Sequence, residues 1–273
     1  MTNALKWLNI IAFAATVLVN ALANLIPLGG NTTGEVSAKY QSLFTPAPMT
    51  FSIWGLIYLM MTLFVIFQIG FGHNETVGNE LREAVGPWFI LSCLLNMAWI
   101  FCWHYDKISA SLMYICFLLL TLFVINWKLH PLFTETTSPM MKLSGYGFQI
   151  YLGWICAATL ANLSVYMVKF GWIGPNVTDQ FRSVIFLIIG TIVAVFLIVS
   201  KQLSLSALTI VWAYIGILIR HMSASGYHKQ YPVVIAFALI CITVILLSVA
   251  VGSLLFSPIH VEESSPKLPG PKS

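Results

Sequence analysis

Hydrophobic residues fall in eight long runs, separated by charged residues and by clusters of proline and glycine. They are Trp7–Ile26, Thr50–Phe71, Pro87–Trp103, Ile108–Trp127, Leu143–Val168, Ser183–Ser200, Leu203–Ile219 and Val233–Phe256. Each is close to the roughly 20 residues that carry a helix across a bilayer. Backbone polar groups inside lipid must be satisfied within their own segment, so continuous runs of this length predict helices. A transmembrane barrel would show short segments of alternating polarity instead. The predicted fold is all-α: a polytopic helical membrane protein with about eight transmembrane helices. The connections are short except for about 20 residues between the first two spans and about 15 between the second and third. No soluble domain fits in them. From Ser257 the chain is a polar tail with Pro258, Pro266, Pro269 and Pro271, expected to be flexible.

The first run admits a second reading. Lys6, the apolar stretch after it and Ala21-Leu22-Ala23 are arranged like a secretory signal with its cleavage site. Asn20 and Asn24, one turn apart, favour a retained span in which amides face a partner helix.

Composition agrees with the pattern. Hydrophobic residues make up 59% of the 273, and only 13 Lys and Arg and 9 Asp and Glu are present, far below the quarter typical of soluble domains. A water-soluble globule is excluded. A net charge of +4 spread along the chain also excludes a nucleic-acid binder. Lys and Arg are shared almost evenly between the two sides, so they set no orientation. The sequons at Asn31, Asn74 and Asn176 fall on both sides and cannot all carry glycans.

Where the charges lie changes the picture more than their number. All are predicted in connections or at span edges, whereas proton-coupled transporters and intramembrane carboxylate proteases need ionisable groups within the spans. A retinal protein needs a lysine deep in a helix, and Lys201 sits between the sixth and seventh spans. Cys93, Cys102, Cys116, Cys156 and Cys241 lie inside spans without a C-x-x-C pair and read as small hydrophobes. His104, Asp106, His221 and His228 share one side but lack metal-ligand spacing, so they are expected as interfacial side chains. No metal site, cofactor or catalytic motif is predicted.

The polar groups left within the spans are indoles, phenols and amides. Trp7, Trp88, Trp103, Trp127 and Trp172 lie near span ends, as an aromatic belt requires. Trp54, Trp99, Trp154 and Trp212 lie deeper, where an indole N–H needs an acceptor. Ser92, Asn96, Trp99 and Trp103 form one stripe on the third span, and Trp154, Ala158 and Asn162 form another on the fifth. Beside the latter, Gly153, Ala157 and Ala161 make a small-residue seam that lets a helix approach closely. Trp54 and Tyr58 share a face of the second span. These stripes either line an aromatic pocket or pack against one another, with Asn as the polar glue.

At these residues the sequence resembles the TspO/MBR family of tryptophan-rich sensory proteins, which includes the mitochondrial translocator protein. Three segments carry the likeness. Phe44-Thr-Pro-Ala-Pro-Met-Thr-Phe-Ser-Ile-Trp54-Gly-Leu-Ile-Tyr58 is similar to a proline-rich approach to the second helix followed by W-x-x-x-Y. Leu95-Asn96-Met97-Ala98-Trp99 matches L-N-x-x-W on the third helix. Tyr151-Leu-Gly-Trp154-Ile-Cys-Ala-Ala158-Thr159-Leu-Ala-Asn162 resembles W-x-x-x-A-[TA]-x-x-N on the fifth. The resemblance implies a five-helix bundle over about residues 1–175, with three further helices over 176–257 and the tail from 258. It also implies a pocket for tetrapyrroles and drug-like hydrophobic ligands lined by Trp54, Asn96, Trp99, Trp154, Ala158 and Asn162. Tyr58 joins this set through the W-x-x-x-Y pair, and Tyr40 matches a loop aromatic that helps lid the pocket. The family's sterol-recognition positions fall on Leu163 and Met167, so sterol recognition is not carried over.

The expectation is a membrane-embedded sensor, receptor or carrier of a porphyrin-like ligand, multi-pass in a bacterial cell membrane. Its partners are the bilayer, that ligand and a second copy in a homodimer. A permease for an uncharged solute and a porphyrin-degrading enzyme are the alternatives, the enzyme being disfavoured by the missing acid, base or metal.

Overall fold

The structure is a computed structural model and describes residues 2–26, 28–40, 42–69, 75–135, 138–171 and 178–255. Asn74, Trp172, Asn176 and the tail from Pro258 lie outside the described residues. The described helices are α1 (Thr2–Leu25), α2 (Thr33–Lys39), α3 (Ile53–Gln68), α4 (Glu75–His104), α5 (Ile108–Glu135), α6 (Pro139–Lys169), α7 (Asp179–Lys201), α8 (Ser204–Met222) and α9 (Pro232–Leu255), with no strand among the described residues. All but α2 are long and apolar enough to cross a membrane, which gives the eight predicted spans. The chain is an integral, multi-pass membrane protein. The long first connection folds as α2 and a 3-10 turn over Pro48–Ser52.

Helix boundaries follow local chemistry. Ser138 caps α6, its hydroxyl accepting from Met141 N, with Pro139 pre-set for the first turn. Thr178 caps α7 in the same way through Phe181 N. Gln202 ends α7 in a left-handed conformation, φ 52°.

One boundary differs from the sequence reading. The third span was expected to begin at Pro87, but its helix starts at Glu75 and continues through a kink at Gly86 (φ 22°, ψ −114°) and Pro87. Glycine accepts that backbone and proline removes the hydrogen bond there, so the pair bends the helix without ending it. Arg82, on the polar segment before the kink, is buried rather than at an exposed edge; its guanidinium donates to Gln68 O and Asn79 Oδ1.

The central helix is α6, packed by α3, α5, α7 and α8. Its seam works as predicted: a Cβ on Gly153 would run into the Ser206 backbone, so α8 lies directly against α6 there. Buried amides hold α1 in the bundle, Asn9 Nδ2 donating to Gln68 Oε1 at 2.6 Å and Asn20 Nδ2 to Asn96 Oδ1 at 2.7 Å. The Asn24 side chain is outside the described residues.

The last three helices also position the segment leading into α3. Gly216 O accepts from Ala47 N at 2.9 Å, and the Trp212 indole donates to Thr50 O at 3.0 Å. His221 Nε2 donates to Leu43 O at 2.8 Å, and the Tyr227 hydroxyl to Ser42 O at 3.2 Å. His221 and His104, at the span ends where the sequence places them, are therefore buried fasteners. His104 Nδ1 donates to Leu28 O at 3.1 Å, which leaves Nε2 to accept from Thr33 Oγ1 at 3.0 Å.

Candidate functional site

The aromatic stripes meet between α3, α4 and α6. Trp54 stacks on Trp99, with ring centroids 5.9 Å apart, and on Tyr58 at 5.5 Å. Trp154 stands edge-on to Trp54 at 6.3 Å and to Phe51 at 5.7 Å. Trp99 continues the stack onto Trp103 at 6.3 Å. Offset and edge-to-face arrangements of this kind are the favourable ones for aromatic quadrupoles.

A pocket opens beside these rings. Trp54, Trp99, Trp103, Trp154, Ala158 and Asn162 line it, together with Phe44 and Phe51 from the segment leading into α3. Its free volume is only about 30 Å³, room for roughly one or two waters. The rings are thus closed on one another.

Three polar atoms of this lining are buried without a partner: Trp99 Nε1, Trp154 Nε1 and Asn162 Oδ1. Trp99 is 4% exposed, Trp154 3% and Asn162 2%. An unsatisfied buried donor or acceptor costs about 1–3 kcal/mol. The neighbouring indoles avoid that cost, because Trp103 Nε1 donates to Thr33 O at 3.1 Å and Trp212 Nε1 to Thr50 O. Asn162 uses its amide nitrogen on Ser111 Oγ at 2.8 Å and keeps its carbonyl oxygen free. Two donors and one acceptor thus belong to the lining of one apolar pocket.

Of the eight residues named from sequence, the pocket lining unites Trp54, Trp99, Trp154, Ala158 and Asn162. The other three stand apart. Asn96 is fully buried and spends both ends of its amide within the bundle, on Asn20 and on the Tyr151 hydroxyl at 3.0 Å. Tyr58 lies behind Trp54, its hydroxyl buried and unpartnered. Tyr40 is in the first connection and donates to Asp106, which also binds Lys39 at 3.2 Å and Lys169 at 3.1 Å. Burial, then the hydrogen bond and charge of Asp106, push the Tyr40 phenol well above its ordinary pKa. Burial of Asp106 opposes ionisation, but hydrogen bonds from Tyr40, Lys169 and Lys39 hold its carboxyl below the usual carboxylate range.

Sequence reasoning missed some of the lining. Trp103, placed from sequence both in the belt and on the stripe of Asn96 and Trp99, is 4% exposed because α2 packs over the end of α4. Ala213 and Ile217 from α8, and Thr33 and Ser37 from α2, complete the walls. Their i, i+4 spacing was a weak signal, since small apolar and hydroxyl residues mark many packed faces. Among the described residues no cluster of His, Cys, Asp and Glu is placed to hold a metal.

Fold and pocket define the class: a polytopic helical membrane protein whose bundle surrounds a tryptophan-lined pocket with unused hydrogen-bonding atoms. The chain belongs to the TSPO-like protein family, whose profile matches residues 6–251. The match runs through α7 and α8 and most of α9. At the coarse level that the family supports, this is a membrane-embedded sensor or binder. Neither curated proteins nor solved structures gave a significant match.

Proposed function

We propose that the pocket between α3, α4 and α6 receives a flat hydrophobic ligand such as a tetrapyrrole, and that the chain serves as its sensor or carrier in a bacterial cell membrane. The observation that carries this reading is the set of unpartnered atoms, Trp99 Nε1, Trp154 Nε1 and Asn162 Oδ1, within one aromatic lining. A ligand bearing acceptors at its edge would satisfy the indoles, and a ring N–H or hydroxyl would satisfy the amide oxygen. Its plane would replace the ring-on-ring contacts of Trp54. Because the free volume is about 30 Å³, binding requires Phe51, Trp54 and Trp154 to separate, so the bound and free forms differ in the lead-in to α3.

Titrating protoporphyrin IX into the purified chain in detergent, while following tryptophan fluorescence, tests the reading. Saturable quenching is expected, weakened about tenfold in Trp54→Phe and Trp154→Phe, a loss matching one lost hydrogen bond or ring contact. Quenching that fails to saturate, or that both variants leave unchanged, would overturn it.

A further inference from the structure

A second and larger cavity, of about 680 Å³, lies at the other end of α6, among the last turns of α5 and α7 and the first turns of α6 and α8. The pocket proposed above does not use it. Its chemistry is different. Lys142, Lys201 and His130 reach it, and Leu129, Phe133 and Tyr146 supply apolar wall. Ion pairs among the described residues involve Lys39, Lys169 and Arg182, so neither Lys142 nor Lys201 has a carboxylate partner there. Lys201 holds its ammonium 3.6 Å from the ring centroid of Trp127, which is 52% exposed. Outward tryptophan beside lysine at helix ends marks the headgroup level of a bilayer. The inner wall is fixed: Gln149 Oε1 accepts from Leu205 N at 3.3 Å and Gln149 O from Ser206 Oγ at 2.8 Å.

Two uncompensated cations, an apolar wall and an interfacial position match one chemistry, an anionic group carried on a hydrophobic body. Basic pockets between transmembrane helices hold phosphate headgroups in this way. We propose that this cavity binds the headgroup of an anionic phospholipid, its phosphate between Lys142 and Lys201 and an acyl chain along Phe133 and Leu129. A free phosphate would meet the same lysines but gain nothing from the apolar wall, which assigns the site to a lipid.

Native mass spectrometry of the full chain, released from micelles containing phosphatidylglycerol or phosphatidylcholine, distinguishes the outcomes. One phosphatidylglycerol should be retained per chain, phosphatidylcholine should be lost, and millimolar inorganic phosphate should not displace the lipid. Lys142→Gln with Lys201→Gln should lower retention about tenfold. Lys107→Gln with Lys229→Gln, which removes the same charge from the opposite side, should leave retention unchanged. Equal retention of the two lipids, equal loss in the two double variants, or displacement by inorganic phosphate would each overturn the assignment. The lipid preference of the unsubstituted chain decides the matter even if a variant fails to fold.

Discussion

Asn96 and Asn162 lie on neighbouring helices, at 0% and 2% exposure, and differ in whether their hydrogen bonds close. Asn96 joins α1 to α4 through Asn20 and α4 to α6 through Tyr151. Asn162 binds Ser111 with its nitrogen and leaves its oxygen unpartnered. The indoles divide in the same way: Trp103 and Trp212 have backbone acceptors, whereas Trp99 and Trp154 have none. A buried polar group with every bond made is explained by packing alone. One left open beside a pocket carries a cost that a ligand or water there would offset. The same residue types therefore act as polar glue in one region and keep unpartnered atoms a few turns away, the atoms that the proposed ligand would satisfy.

Replacing the amides is the strongest way to break this comparison. Asn96→Leu removes two interhelical bonds, to Asn20 and to the Tyr151 hydroxyl, and leaves that buried hydroxyl without its donor. Unfolding in micelles should become easier by about 1–3 kcal/mol. Asn162→Leu deletes an open carbonyl along with one bond, and should cost less than about 1 kcal/mol. Equal losses in denaturant melts would erase the distinction between the two regions.

The indoles sharpen it at smaller scale. Trp103→Phe and Trp99→Phe remove the same atoms, but only the first breaks a hydrogen bond, the one to Thr33 O. Trp103→Phe should be less stable by about 1 kcal/mol than Trp99→Phe, read from paired thermal melts.

The smallest expected effect is on the cluster at Asp106, the polar counterpart of the pocket. Asp106 has a lowered pKa in the folded chain, so its contribution is present above the unfolded value of about 3.9 and fades as pH falls through the folded one. The raised Tyr40 pKa works in the other direction: its contribution is whole below about 10 and fades as pH rises through the folded value. Melting temperature should show a plateau between these limits, with a shallow acid limb that flattens in Asp106→Asn. Ligand affinity at the indoles should not follow that limb, because no titratable side chain is among the partners proposed there.

The eight spans were legible in the sequence because continuous apolar runs have few alternatives in lipid. Five of the pocket's lining residues were legible as helical stripes and as motif positions. The N-terminal segment of α4 was not, because Glu80, Arg82 and Glu83 before Gly86-Pro87 look like a loop closed by a helix breaker. Trp103 was legible in part: the stripe of the third span includes it, but its place at a span end also suggests the interface, and no periodicity reveals that α2 will cover it. Ala213 and Ile217 carry no polar signal, so the contribution of α8 emerges only from its packing on α6 and on the segment leading into α3. Nor could spacing tell the closed amide of Asn96 from the open one of Asn162, since both follow the same helical stripes.

The open indoles can be observed directly. With indole nitrogens labelled with ¹⁵N and assigned by single Trp→Phe variants, the Nε1–H resonances report hydrogen bonding one tryptophan at a time. Adding protoporphyrin IX should move the Trp99 and Trp154 signals downfield as they gain acceptors, while Trp127, at the opposite end of the bundle against Lys201, stays in place. If Trp99 and Trp154 do not move, or if every indole shifts alike, the account of a ligand site built on unused donors is wrong.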